Sequence, residues 1–189
     1  SPHFSPLLRD AVRFADQAGC IMVAAAGNEG GGAVFIPARF DETIAVAATD
    51  LQNRILSFSI PGYSIDLAAP GQNILSLEPG GGYVLRSGTS MAAPHVAGLA
   101  ALVLARSPHF NPNAVRGVML ASARDIGAPG WDFRAGEGVV QMDALHLDGA
   151  PVVRLEVGGD SAVVDEEGEV RLELGGAGFE SCEISWGVG

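Results

Sequence analysis

The chain has 189 residues, 48% hydrophobic and 17% charged, with a formal net charge of −11. Such a composition supports a packed core and argues against disorder, while the acidic balance argues against nucleic acid or an anionic membrane as a partner. Two cysteines, Cys20 and Cys182, make no disulfide framework, and the longest apolar stretch, Val96 to Ala105, is too short to span a bilayer.

Ser5 followed by Pro6 signals a helix start, with Leu8, Ala11, Val12 and Ala15 at helical spacing and Gly19 as the stop. Cys20–Ala26 is then a continuous apolar run of strand length, ending at Gly27–Asn28. A helix feeding a strand buried on both faces predicts an α/β parallel sheet. Thr43–Ala48 gives a second buried strand, and short β runs are expected at Ile55–Ser59, Ile65–Ala68 and Tyr83–Arg86, between Pro-Gly and Gly-rich turns. Met91–Arg106 is apolar on nearly every side and reads as a buried helix. Asn111–Pro112 opens another, to about Ala123, with Val115, Val118 and Met119 facing inward. Gly138–Gln141 and Asp143–Leu147 read as a closing strand and short helix.

From Pro151 the texture changes. Val152–Val157, Ala162–Val164, Glu169–Leu174 and Glu183–Trp186 alternate apolar and polar residues, the pattern of an antiparallel sheet and the start of an appended β-sandwich-like domain. The domains expected are thus 1–148 and 151–189, with the boundary near Gly149–Pro151. The opening at Ser1, without methionine, and the strand in progress at Ile184–Trp186 both read as cuts in a longer chain, so the missing leader says nothing about export.

The chemistry concentrates at Ser87-Gly88-Thr89-Ser90-Met91-Ala92-Ala93-Pro94-His95-Val96-Ala97-Gly98. A serine at the start of a helix has a backbone N–H without an intrahelical partner, in a field that favours negative charge. The turn that presents the hydroxyl can therefore also stabilise an oxyanion on an attacked carbonyl. A capped core helix with Ser90 as a passive N-cap accounts for the same residues. His95 follows five residues later, roughly 140° around and about 7.5 Å along a helix, so it cannot take the Ser90 proton and reads as a satisfied core histidine. His3, His109 and His146 stand in terminal or loop-like contexts.

This segment resembles the active-site serine motif of the subtilisin family, matched without a gap. Ala24-Ala25-Ala26-Gly27-Asn28-Glu29-Gly30 is similar to the family's oxyanion-hole segment, and Ala68-Ala69-Pro70-Gly71 to another recurrent turn. The resemblance covers roughly the first 148 residues. It implies a subtilisin-like sheet flanked by helices, present here as the C-terminal half. Ser90 is then the nucleophile, and the Asn28 amide with the Ser90 N–H holds the oxyanion. Ala25, Ala26 and Gly27 wall the pocket for the substrate residue before the scissile bond, Glu29 stands at its rim, and Phe35 reaches its floor; the plainer account of Phe35 is a ring turned inward beneath the loop, leaving the slot open.

The family's His-Gly-Thr and Asp-x-Gly segments have no match here, so the resemblance places the catalytic His and Asp in an N-terminal half outside this chain. It implies a protein or peptide substrate, no cofactor for catalysis and an extracellular location. It also brings in structural calcium, with main-chain carbonyls near Ala38 and Phe40 and Asp66 as the acid; an exposed or capping Asp66 is the plainer account. Two other functions fit the same residues: a specialised subtilase that processes or cyclises one peptide, and a non-catalytic binding module that has lost its triad.

Overall fold

The computed structural model describes residues 4–141 and, farther on, the backbone of four short strands. The chain divides into two compact units, Ser1–Met142 and Asp143–Gly189. In the second, strands Glu156–Val157, Asp160–Val164, Val170–Leu172 and Glu183–Ile184 pair antiparallel in chain order. His3, the Asp143–Leu147 helix, His146, the Gly149–Pro151 boundary and Cys182 lie outside the described residues.

In the first unit, helix α1 (Pro6–Gln17) is capped by Ser5, whose Oγ accepts the Leu8 N–H at 3.4 Å. Only Val12 of this helix is buried; Leu8 and Ala11, which share its helical spacing, are exposed with Leu7 and Phe14. Strands β1 (Met22–Ala25), β2 (Thr43–Thr49) and β3 (Leu67–Pro70) form a parallel sheet in that spatial order. All seven residues of the central β2 are buried, which explains its unbroken small apolar run. Strand β1 is only half-buried: it is the sheet edge among the described residues, so burial on both faces does not hold for it.

A hairpin follows, β4 (Ile74–Leu77) against β5 (Tyr83–Arg86). Strand β4 is absent from the expected elements. Ile55–Ser59, expected as a β run, contributes one bridge from Ile55 to Thr49; Ser59 N–H turns back to the Leu56 carbonyl, and the Ser59 hydroxyl is spent on the Ala48 N–H. Val139 bridges Ala68 and Arg124 without extending into a strand.

Helix α2 (Thr89–Arg106) lies on the sheet, with Thr89, Ala92, Val96, Leu99, Ala100 and Val103 buried. Its other side is open, Leu102 being 43% exposed, so the all-round burial that its composition predicts is not met by the described residues. Helix α3 (Pro112–Ala121) starts at Asn111, whose Oδ1 accepts the Ala114 N–H, and buries Val115 and Met119, with Val118 half-buried.

One ion pair ties these layers together. Arg116 on α3 donates from Nη2 to Asp66 Oδ1 at 2.5 Å and from Nη1 to the Asp41 carbonyl at 2.6 Å, while Asp66 Oδ2 accepts the Ala45 N–H of β2 at 2.7 Å. Burial pushes the Asp66 carboxyl upward, and the Arg116 guanidinium and Ala45 N–H pull against that shift. Both oxygens are thus taken, and the charge that answers the carboxylate is a guanidinium. This donor set does not fit a hard cation, nor is Asp66 an exposed cap. Arg116→Ala in the complete protein is expected to cost about 2 kcal/mol, between the values for exposed and buried pairs. Arg116→Lys should restore little of it, since a point charge cannot serve both Asp66 Oδ1 and the Asp41 carbonyl. Urea unfolding of the two variants checks this.

Candidate active site

Two chain segments meet at the carboxyl end of the sheet. The first continues β1: Ala26 N–H donates to the Val46 carbonyl at 3.0 Å, and Gly27 follows at φ 117°. A Cβ on Gly27 would stand 2.6 Å from Ile60 Cδ1, so both backbone and space require glycine there. The second segment is the turn after β3. Gly71 N–H donates to the Thr49 carbonyl, and the Gly71 carbonyl accepts the Gly88 N–H at 2.8 Å, setting where α2 begins.

Thr89, the first residue of α2 and fully buried, joins the two segments. Its N–H donates to Asn28 Oδ1 at 2.8 Å, and its hydroxyl donates to the same oxygen at 2.9 Å. The Thr89 hydroxyl also accepts the Gly27 N–H at 3.1 Å. Two donors on one atom identify it as the carbonyl oxygen of the Asn28 amide, which leaves Nδ2 as the free end of an exposed side chain. Nδ2 lies beside Gly88, where an added Cβ would come within 3.3 Å of it.

Ser90 is the second helical residue and is exposed. The N-cap is Gly88, which has no side chain to cap the helix, and the first N–H of α2 is taken by Asn28, so Ser90 is not a passive cap. Its hydroxyl and amide have no partner among the described residues, and the amide points outward at the positive end of α2. Pro94, sixth in the helix rather than in its first turn, has no N–H to give the Ser90 carbonyl. A crevice of about 360 Å³ opens beside Ser90, lined by Ile74, Leu75, Ser76, Met91, Pro94 and His95. A smaller hollow of about 180 Å³, lined by Asp16, Cys20, Asp41 and Glu42 among others, takes in Met22 and Ile44 at the opposite end of β1 and β2 and so lies away from this chemistry.

His95 is exposed, not in the core. Its Nδ1 lies 2.8 Å from the Met91 carbonyl, which can only accept, so Nδ1 carries the proton. His109 is exposed against Phe110. Among the described residues no histidine bonds Ser90. Glu29 is exposed and Ala25 half-buried; Phe35 donates its N–H to the Ala26 carbonyl at 2.9 Å, and its ring comes within 3.1 Å of the Cβ position of Gly27.

The model of the subtilase family, Peptidase_S8, matches residues 2–138. The chain belongs to the subtilase family. It is 41% identical over 144 residues to Subtilisin Savinase of Lederbergia lenta, a match covering 76% of this chain and 52% of that protein. It is 39% identical over 147 residues to Minor extracellular protease Epr of Bacillus subtilis (strain 168), covering 77% of this chain and 23% of that one. Among solved structures, Prenylagaramide maturation protease PagA superposes with a TM-score of 0.69 at 31% identity, covering 78% of this chain and 57% of PagA. The chain thus spans about half, or less, of the length of the relatives it matches.

In this subtilase, Thr89 ties Gly27 and Asn28 to the turn that carries Ser90, whereas Asp66 belongs to the α3 ion pair. Thr89 and Gly71 stand in segments that the sequence marks, but nothing in those segments gives either residue a role. Nothing in a lone threonine before a serine says that its hydroxyl serves two neighbours. Thr89→Val keeps the shape but leaves the Gly27 N–H buried without a partner, which should destabilise the fold by about 1–3 kcal/mol. Denaturant unfolding of the complete protein measures this, with Thr89→Ser expected to recover most of the loss.

Proposed function

We propose that this chain carries the nucleophile and oxyanion site of a subtilisin-type serine endopeptidase. The observation that carries the reading is the arrangement at the head of α2. There the amide of Asn28 is held by its oxygen beside the turn that exposes Ser90. In the reaction, Ser90 Oγ attacks the peptide carbonyl while its proton passes to a histidine. The carbonyl oxygen gathers negative charge and takes hydrogen bonds from Asn28 Nδ2 and the Ser90 N–H. The C–N bond then breaks, the histidine returns the proton to the leaving amine, and water hydrolyses the Ser90 ester. No cofactor is needed.

The histidine and its aspartate come from sequence N-terminal to this chain, and the crevice beside Ser90 has room for a side chain presented from that side. The similarity to a maturation protease favours, as a second reading, processing of one dedicated peptide. The similarity to an extracellular protease supports an extracellular location.

Asn28→Ala should lower kcat by about 10²–10³ with little change in KM, because Nδ2 meets the oxygen mainly once it is charged. Steady-state kinetics of the complete protein, with Ser90→Ala as the inactive control, decide it. An effect confined to KM would remove Asn28 from this role.

Phe35 carries the specificity part of the proposal. Its ring lies against Gly27, next to the oxyanion donor, and packs half-buried on the core cluster of Ala26, Val34 and Ile60; in this proposal its remaining surface closes the floor of the slot to a large substrate side chain. Small side chains before the scissile bond should therefore be preferred over Phe and Tyr. Phe35→Gly should raise kcat/KM for Phe relative to Ala by about tenfold or more. An unchanged ratio in peptide substrates differing at that position would show the slot already open.

A further inference from the structure

The hairpin that leads into the Ser90 turn carries an apolar face that no described residue covers. Leu75 pairs with Leu85 and Leu77 with Tyr83 across the two strands, so these four side chains share one face. Leu75, Leu85, Leu77 and Tyr83 are 64%, 60%, 79% and 72% exposed, whereas Ile74, Ser76 and Val84 on the other face are half-buried. Single exposed apolar residues are ordinary; four in contact on one ribbon mark a contact surface.

The backbone is open beside that face. Glu78 N–H donates to the Gly82 carbonyl, so by the alternation of an antiparallel ladder Ser76 bonds Val84 and Ile74 bonds Arg86. The N–H and C=O groups of Tyr83 and Leu85 therefore point away from β4, and they meet no backbone partner among the described residues. A free strand edge next to an apolar face suits an extended peptide, with main-chain bonds along the edge and alternate side chains on the face.

Two observations tie this surface to Ser90. Leu75 belongs both to the apolar face and to the crevice beside Ser90, and the chain runs from Leu85 to Ser90 through Arg86-Ser87-Gly88-Thr89. The hairpin also leaves β3, whereas Gly27 and Phe35 follow β1, on the other side of the central β2. We propose that this face and the edge of β5 bind the leaving side of the substrate, an extended stretch with apolar side chains at alternate positions beyond the scissile bond. The proposal rests on the protease reading. The net charge of −11 disfavours a second copy in the same place.

The test uses the complete protein and two peptides identical up to the scissile bond, with leucines or serines at alternate positions farther along the leaving side. The leucine peptide should have the higher kcat/KM by about tenfold or more. Leu77→Ser combined with Tyr83→Ser should bring that ratio near one; neither residue lines the crevice. Hydrolysis of a p-nitroanilide with the same acyl half, which has no leaving segment, should not change. A ratio near one in the parent, or a preference that survives both substitutions, would overturn the proposal. So would a lower urea midpoint in the double variant with an unchanged ratio, since another part of the protein then covers the face. A dimer that the double variant dissociates would place a second copy there instead. Cleavage of the p-nitroanilide without leucine preference keeps the protease and removes the surface. If no substrate is cleaved the protease reading fails, and fluorescence anisotropy of the same peptides then reads the face. Tighter binding of the leucine peptide that the double variant loses keeps it as a peptide site, and equal binding sinks it.

Discussion

The site depends on one side-chain oxygen. Asn28 Oδ1 takes both the N–H and the hydroxyl of Thr89, and that pair of bonds joins the end of β1 to the first turn of α2. Without it the Asn28 amide would rotate freely on an exposed side chain, and its nitrogen would have no preferred direction. With it, the nitrogen is the only end left to face a ligand. The same hydroxyl takes the Gly27 N–H, so the backbone leading into Asn28 is fixed by the residue that precedes Ser90. Charge stabilisation by preorganised donors is worth most when nothing has to reorganise during a reaction, and under the proposed function this clamp would supply that condition.

The rest of the first unit supports the clamp from below. Strand β2, buried along its whole length, pairs with β1 on one side and β3 on the other. Gly71, at the end of β3, reaches Thr49 with its N–H and Gly88 with its carbonyl. A side chain on Gly71 would meet Ala48 Cβ at 2.6 Å and the Gly88 carbonyl at 2.8 Å, so the close approach that seats α2 depends on its absence. At the opposite end of the sheet the Asp66–Arg116 pair holds α3 and β2 together. The two ends are built differently: packed glycines and a hydroxyl near Ser90, a charged anchor away from it.

Much of this was legible in the sequence. The capped start of α1, the unbroken run of β2 and the Gly-Thr-Ser segment at the head of α2 each carry a local signal that tertiary context does not override. Other features had no such signal. Composition alone makes α2 a buried helix, but which side is covered by the described residues depends on partners that a window of sequence does not contain. Strand β1 reads as buried on both faces for the same reason, since a run of small apolar residues does not say whether it is central or at an edge. Ile55–Ser59 has β-forming residues, yet beyond the one bridge to Thr49 its hydrogen bonds go to Ala48, to Gly30 and back on itself. Asp66 illustrates the limit for charged groups: position suggests a cation, and only the fold shows that Arg116, fifty residues on, is the cation.

The central claim is that Asn28 and the Ser90 amide form one preorganised receptor for an oxyanion built on Ser90. A crystal structure of the complete protein with a peptide boronic acid tests it most directly, since the tetrahedral boronate mimics the transition state. The account predicts a bond from Ser90 Oγ to boron, with one boronate oxygen about 2.7–3.1 Å from both Asn28 Nδ2 and the Ser90 nitrogen, and Asn28 Oδ1 still on Thr89. A boronate bound elsewhere, or an oxygen turned away from Asn28 with its amide rotated off Thr89, would contradict it.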